Sequence, residues 1–253
     1  MDFLGTPDVG PLLFAGLTAL SFVTALIGVY TGAAGGIILL AGMALVLPLA
    51  VVIPVHTVVM LGTGAARTVM MWRHVMRGTL LPFLVGAAIG AALGAKVFVA
   101  LPIGWLQAIL GGFILLVTWL PNLGRIGAER GRFAVLGFVT TFLGVFVSAT
   151  GTLLAPFIAS AAPDRYKHVA TLGALMAVAH IAKLVAFALI GVAIGSFVPL
   201  MAAMIAAGAL GNWLGEAALH RTSEQRFRLI LQIVLTVLGL RLLWGAAVQL
   251  GWW

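Results

Sequence analysis

Residues 31–48 read TGAAGGIILLAGMALVLP. A threonine and a cluster of glycines and alanines stand in front of an apolar run of barely four turns. Crossing a bilayer takes about 20 apolar residues, so the run is too short to span comfortably, and the glycines ahead of it interrupt the preceding helical pattern. A half-length greasy helix behind a backbone break makes sense only in a chain whose other segments sit in lipid. The composition agrees. Of 253 residues, 63% are hydrophobic and 8% charged, whereas a soluble domain carries about 25% charged residues. The short alternating strands of a membrane barrel are not seen. The chain reads as an all-α polytopic membrane protein. It has no cysteine, which excludes disulfides, thiol chemistry, iron–sulfur clusters and thiolate zinc sites. Its five histidines show no metal-ligand spacing, and no cofactor is expected.

Ten apolar segments can be marked, at roughly 12–30, 36–50, 56–72, 79–100, 105–121, 132–147, 152–161, 168–192, 197–219 and 227–249. The second and the seventh are the short ones, and each follows a Gly/Ser/Thr-rich break. The opening MDFLGTPDVGP lacks the basic region of a signal peptide, so the first segment is expected to stay as a membrane helix. The net charge of +8 belongs to topology rather than to nucleic acid. Arg73 and Arg77, then Arg125, Arg130 and Arg132, then Arg165 and Lys167, then Arg221, Arg226 and Arg228 fall in four loops, and the other connections hold no Lys or Arg. Placing those four loops in the cytoplasm satisfies the positive-inside rule and puts both termini outside.

The break at residue 31 has a counterpart. LIGVYTGAAGG at 26–36 matches FLGVFVSATGT at 142–152, a spacing of 116 residues that pairs Gly28 with Gly144, Gly35 with Gly151 and, further on, Arg67 with Lys183. Pro82 pairs with Pro199 and Gly94 with Gly211 one residue longer. Each unit holds five segments, an odd number, so the two must enter the membrane from opposite sides. The expectation is one membrane domain made of two inverted-topology repeats, 12–121 and 132–249, with short broken or re-entrant helices. That architecture is typical of secondary transporters, with the site at mid-depth where interrupted helices meet.

Helix N-termini present unpaired N–H groups and a positive dipole end, and they bind anions readily. The candidate substrate-binding residues are therefore Thr31, Gly32, Gly35 and Gly36 at the first break and Ser148, Thr150, Gly151 and Thr152 at the second. Close helix packing through small residues competes with that reading; it is preferred for the scattered glycines Gly86, Gly90 and Gly94. Four cations lie inside spans away from the basic loops: Arg67 and Lys183, with Lys96, which is read as snorkelling from the outer end of its span, and Arg241, whose role is left unassigned. An intramembrane cation costs at least about 2.5 kcal/mol and normally faces a partner or a wet cavity. The only acid within a span is Glu216, so a bound anion is the economical partner of Lys183. For Arg67, snorkelling to the cytoplasmic surface competes. His180 lies three residues before Lys183 and shares its helix face. His180 and His56 are candidates for a proton relay or an anion contact.

These features together resemble the sulfite exporter TauE/SafE family, also called the 4-toluene sulfonate uptake permeases. The resemblance rests on the first break with its short helix, on IPVHTVVMLGTGAARTVMMWRHV and LPFLVGAAIGAALGAKVFVALP, and in the second half on SATGTLLAPFIASAAPDRYKHVATLGALMAVAHIAKLVAFALIG. It covers about residues 12–245. It implies a bacterial inner-membrane, multi-pass transporter of sulfur-containing anions such as sulfite or organosulfonates, and it places the family's repeated basic position on Arg67 and Lys183. Ala33, Ala34, Ala149 and Thr152 depart from the family's richer glycine motif. The expected partners are a small anionic substrate and the lipid bilayer, with no nucleic acid; a homodimer is left open. No enzyme activity is expected. A permease for carboxylates or other organic anions stays open beside the sulfur-anion exporter. A membrane-embedded enzyme or assembly factor using His56 and His180 has against it the lack of a nucleophile–base–acid set.

Overall fold

The computed structural model describes residues 2–31, 34–119, 130–148, 151–218 and 224–252. Among them the chain is helical throughout, in the order α1 (Pro11–Thr31), α2 (Ala34–Ala44), α3 (Leu49–Met70), α4 (Leu80–Ala100), α5 (Ile103–Trp119), α6 (Arg130–Val147), α7 (Gly151–Ala161), α8 (Arg165–Leu189), α9 (Val198–Ala218) and α10 (Glu224–Gln249). Four stretches, Pro11–Gly28, Arg77–Ala100, Tyr166–Leu189 and Gly195–Gly215, are long and apolar enough to cross a membrane. The fold is that of an all-α polytopic membrane protein.

The two short segments are the two short helices. Each of α2 and α7 has 11 residues and is about 16 Å long, half of the roughly 30 Å hydrocarbon layer. The boundary between α2 and α3 differs from the sequence expectation, which ran the second segment to residue 50 and began the third at His56. Helix α2 stops at Ala44, and α3 already starts at Leu49. Proline is the physical reason. Pro48 disfavours helical backbone at Leu47, so the chain turns there, with Leu45 donating to Gly42 and Leu47 to Met43. The Pro48 carbonyl then accepts from Val51 and Val52 to start α3.

Burial is inverted relative to a soluble protein. Helix α4 leaves Leu81, Val85, Ile89 and Leu93 exposed and buries Gly86, Gly90 and Gly94. Without a hydrophobic drive between helices in lipid, close packing of small residues holds the spans together. A β-carbon on Gly86 would collide with the Ala134 carbonyl and one on Gly90 with the Phe138 carbonyl, both of α6. These glycines are packing residues, as the sequence reading preferred.

The helices group into two compact units. One comprises residues 1–63, 103–119 and 193–253, the other 64–102 and 120–192. In the first, α9 packs along α1. Gly211 admits the Phe22 carbonyl and Ala25, and Ser21 Oγ donates to the Met204 carbonyl at 2.7 Å. Helix α5 pairs with α10 through Gly111 and Gly239, each facing the other's carbonyl oxygen. In the second unit α4 packs along α6, where Gly94 faces Phe142 and Val145. Helices α4 and α8 meet through Ala91, Ala95 and Ala186. Leu154 and Ile158 of α7 pack into a core with Leu175 and Ala179 of α8. Each unit thus takes the first helix of one expected repeat and the fourth of the other, and Gly94 and Gly211 each face a phenylalanine carbonyl of the neighbouring helix.

Candidate functional site

The second break is built on the C-terminus of α6. Its last carbonyl groups run short of helical partners, as at any helix end, and in an apolar surrounding they readily take a further donor beside any backbone bond they keep. Lys183 of α8 supplies it. The side chain is fully buried, and its Nζ donates to the carbonyl oxygens of Gly144 at 3.4 Å and Ser148 at 3.3 Å. The cation sits at the negative end of the α6 dipole, where it is stabilised. It makes no ion pair among the described residues. An ammonium has three donors, and the described residues take two of them at distances well beyond the roughly 2.7–2.9 Å of a tight charge-assisted bond. Among the described residues one donor is left, and the other two are loosely held.

The backbone at this point is strained. Ser148 is buried and has φ +49°, the left-handed region that non-glycine residues rarely adopt, and its N–H still donates to Gly144. A left-handed residue is the usual way to end a helix, though usually a glycine. Such strain tends to be retained where function needs the conformation. Four residues on, Thr152 lies in the first turn of α7. Its Oγ1 is shielded and has no hydrogen-bond partner among the described residues, a state worth about 1–3 kcal/mol of destabilisation unless something accepts or donates there. Gly151 opens α7, and a β-carbon there would touch only the thioether of Met176, at 3.7 Å. The second break therefore has an ammonium donor against the end of α6 and, four residues on from Ser148, an unpartnered hydroxyl in the first turn of α7. That set can coordinate an oxyanion.

The first break is arranged differently. Gly35 is in backbone contact with α1: a β-carbon would strike the Thr24 carbonyl and come within 2.8 Å of Gly28 Cα. The Gly36 carbonyl accepts from His56 Nε2 at 2.9 Å. A carbonyl can only accept, so Nε2 carries the proton. His56 is fully buried on α3 and adds a donor to a carbonyl in the first turn of α2. His56→Leu is expected to remove this added bond to the Gly36 carbonyl and to lower stability by about 0.5–1.5 kcal/mol, read as a fall in melting temperature in detergent; an unchanged melting temperature would show that the bond contributes nothing. His180 is also buried, one turn before Lys183. Gly32 and Thr150 lie outside the described residues, as do the side chains of Thr31 and Arg67.

Three residues were missed in the sequence. Gly144 marks the repeat, yet its carbonyl is what holds Lys183. Met60 and Met176 stand 116 residues apart, the spacing of the expected repeat, and each covers the first turn of a short helix, Met60 at 3.1 Å from where a Gly36 β-carbon would be. That spacing was the signal that could have found them.

Comparison with curated proteins and with solved structures gives no match. Among protein families, the one described as sulfite exporter TauE/SafE matches residues 17–242 of the 253. That span runs from the middle of α1 through most of α10 and includes both breaks. The chain belongs to the sulfite exporter TauE/SafE family of membrane transporters.

Proposed function

We propose that this protein exports sulfur-containing oxyanions, sulfite or organosulfonates, across the bacterial inner membrane, with both termini on the extracytoplasmic side. The observation that carries the reading is Lys183: a fully buried cation with no ion pair among the described residues, loosely held by two carbonyl groups. The anion takes the remaining ammonium donor, the Thr152 hydroxyl and the N–H groups at the start of α7. Ser148, Thr150 and Gly151 shape this end of the site. Arg67, the repeat counterpart of Lys183, and the first break with Thr31, Gly32, Gly35 and Gly36 do corresponding work in the other repeat.

The direction follows from charge. The cytoplasm is negative, and one elementary charge is worth about 2.3 kcal/mol per 100 mV. A divalent anion leaving the cell gains roughly twice that, an outward concentration ratio on the order of 10³ at equilibrium. Export therefore needs no coupling ion, in keeping with the scarcity of acids within the spans. The test is flux of sulfite and of sulfoacetate in proteoliposomes under an imposed potential. The expected result is flux that rises with a potential negative on the side the anion leaves. A protein that moves neither solute, or that moves acetate equally well, would overturn the sulfur-anion reading.

A further inference from the structure

Eight threonines within the described helices treat their hydroxyls alike; Thr171 of α8 instead accepts from Met76 N–H, and Thr152 at the start of α7 and Thr141 in the interior of α6 have no partner among the described residues. Thr18, Thr24, Thr57, Thr63, Thr68, Thr118, Thr140 and Thr236 each donate to the carbonyl four residues earlier. This back-bond is the ordinary refuge of a hydroxyl in a helix surrounded by apolar groups. Thr141 does not use it. The residue is fully buried, and its Oγ1 has no hydrogen-bond partner among the described residues. Its immediate neighbour Thr140 does donate back, to Leu136 at 2.6 Å, so the α6 backbone here does not prevent the bond.

The position of Thr141 says which side of α6 its hydroxyl is on. At about 100° per residue, Ser148 lies only about 20° around the helix from Thr141, and Gly144 about 60° around and one turn along. Those are the two residues whose carbonyls hold Lys183. Thr141 is therefore on the side of α6 that carries the Lys183 site, one turn further from the break than Gly144. A hydroxyl kept off the backbone and buried, on the side of α6 whose end holds a cation, is a group waiting for an acceptor that enters with the substrate.

We propose that Thr141 is a substrate-binding residue whose hydroxyl donates to an oxygen of the bound oxyanion, extending the Lys183 site along α6. This rests on the transport reading above. The oxyanion then has three side-chain donors from one unit, Lys183 Nζ, Thr152 Oγ1 and Thr141 Oγ1. Three donors suit an anion with three oxygens, a sulfite or sulfonate, better than a carboxylate with two.

The test uses the full chain in proteoliposomes and in detergent, as wild type, Thr141→Val, Thr141→Ala and Thr141→Ser. Concentration dependence of sulfite and sulfoacetate flux gives the half-saturation concentration; thermal unfolding gives stability. The valine variant keeps the shape and loses the hydroxyl. It should raise half-saturation about five- to twentyfold, while its melting temperature stays level or rises, because an unpaired buried hydroxyl has been removed. The alanine variant should raise half-saturation likewise and carries the comparison if valine does not accumulate. Serine should restore half-saturation to within about twofold of wild type. Unchanged half-saturation in both hydroxyl-free variants would overturn the proposal, with or without a change in stability. So would a weaker affinity that follows a lowered melting temperature and is not restored by serine. If the wild type itself moves neither solute, the parent reading fails and this one with it; wild-type flux with normal valine and alanine variants removes Thr141 alone.

Discussion

Lys183→Met is expected to reduce sulfite flux by about 10²-fold or more, with the protein still inserted and monodisperse. Breaking a buried charge interaction is worth about 3–5 kcal/mol, and every 1.4 kcal/mol is tenfold in affinity. Methionine keeps most of the volume of the lysine stem, so packing in the fully buried position is little disturbed. Two stability effects oppose one another. The carbonyls of Gly144 and Ser148 lose a donor, while the unfavourable burial of a cation is removed. The net change in melting temperature should therefore be small beside the change in flux. Lys183→Arg keeps the charge but presents a planar fork of fixed geometry, and should recover only part of the activity. Flux is compared at matched amounts of inserted protein. If Lys183→Met transports like wild type, the cation serves only to cap α6.

Gly86→Val is expected to prevent the second unit from folding. Its β-carbon would fall on the Ala134 carbonyl, so α4 and α6 would have to move apart along their length. They cannot do so locally, because Gly90 and Gly137 make the same kind of backbone contact within one turn on either helix, with the Phe138 and Phe83 carbonyls. Overpacking costs about 1–3 kcal/mol where side chains can give way. Here the obstacle is backbone, and the cost should exceed that range, a large share of the roughly 5–15 kcal/mol that holds a domain together. Gly112 on α5 is the control. Nothing lies within 4 Å of a β-carbon there, and alanine gains about 1 kcal/mol of helix propensity. Yield and melting temperature after size-exclusion chromatography read both. Wild-type behaviour of Gly86→Val would contradict the packing.

The sequence made the segment pattern legible because lipid imposes it. The half-length runs at 36–50 and 152–161 could be recognised as α2 and α7 without any structure, since a bilayer sets a minimum length for a span. Lys183 was also legible, because a cation in an apolar run carries a cost wherever it sits. Its partners were not. Lys183 is held by the carbonyls of Gly144 and Ser148, and every residue has a carbonyl, so side-chain pattern gives no sign of which will take a side-chain donor. The glycines of α4 announced close packing and not the neighbour; only the coordinates assign them to α6. The start of α3 at Leu49 was hidden because the run on both sides of Pro48 is uniformly apolar. Thr141 looked like any helical threonine, and its distinction lies in a bond it does not make.

The most direct test of the site is a structure of the protein with sulfite bound. The proposal predicts an anion within about 3 Å of Lys183 Nζ and Thr152 Oγ1, with the contacts from Lys183 to the Gly144 and Ser148 carbonyls lengthened beyond their present 3.4 and 3.3 Å. Sulfite found elsewhere, with Lys183 still held by those two carbonyls alone, would contradict it.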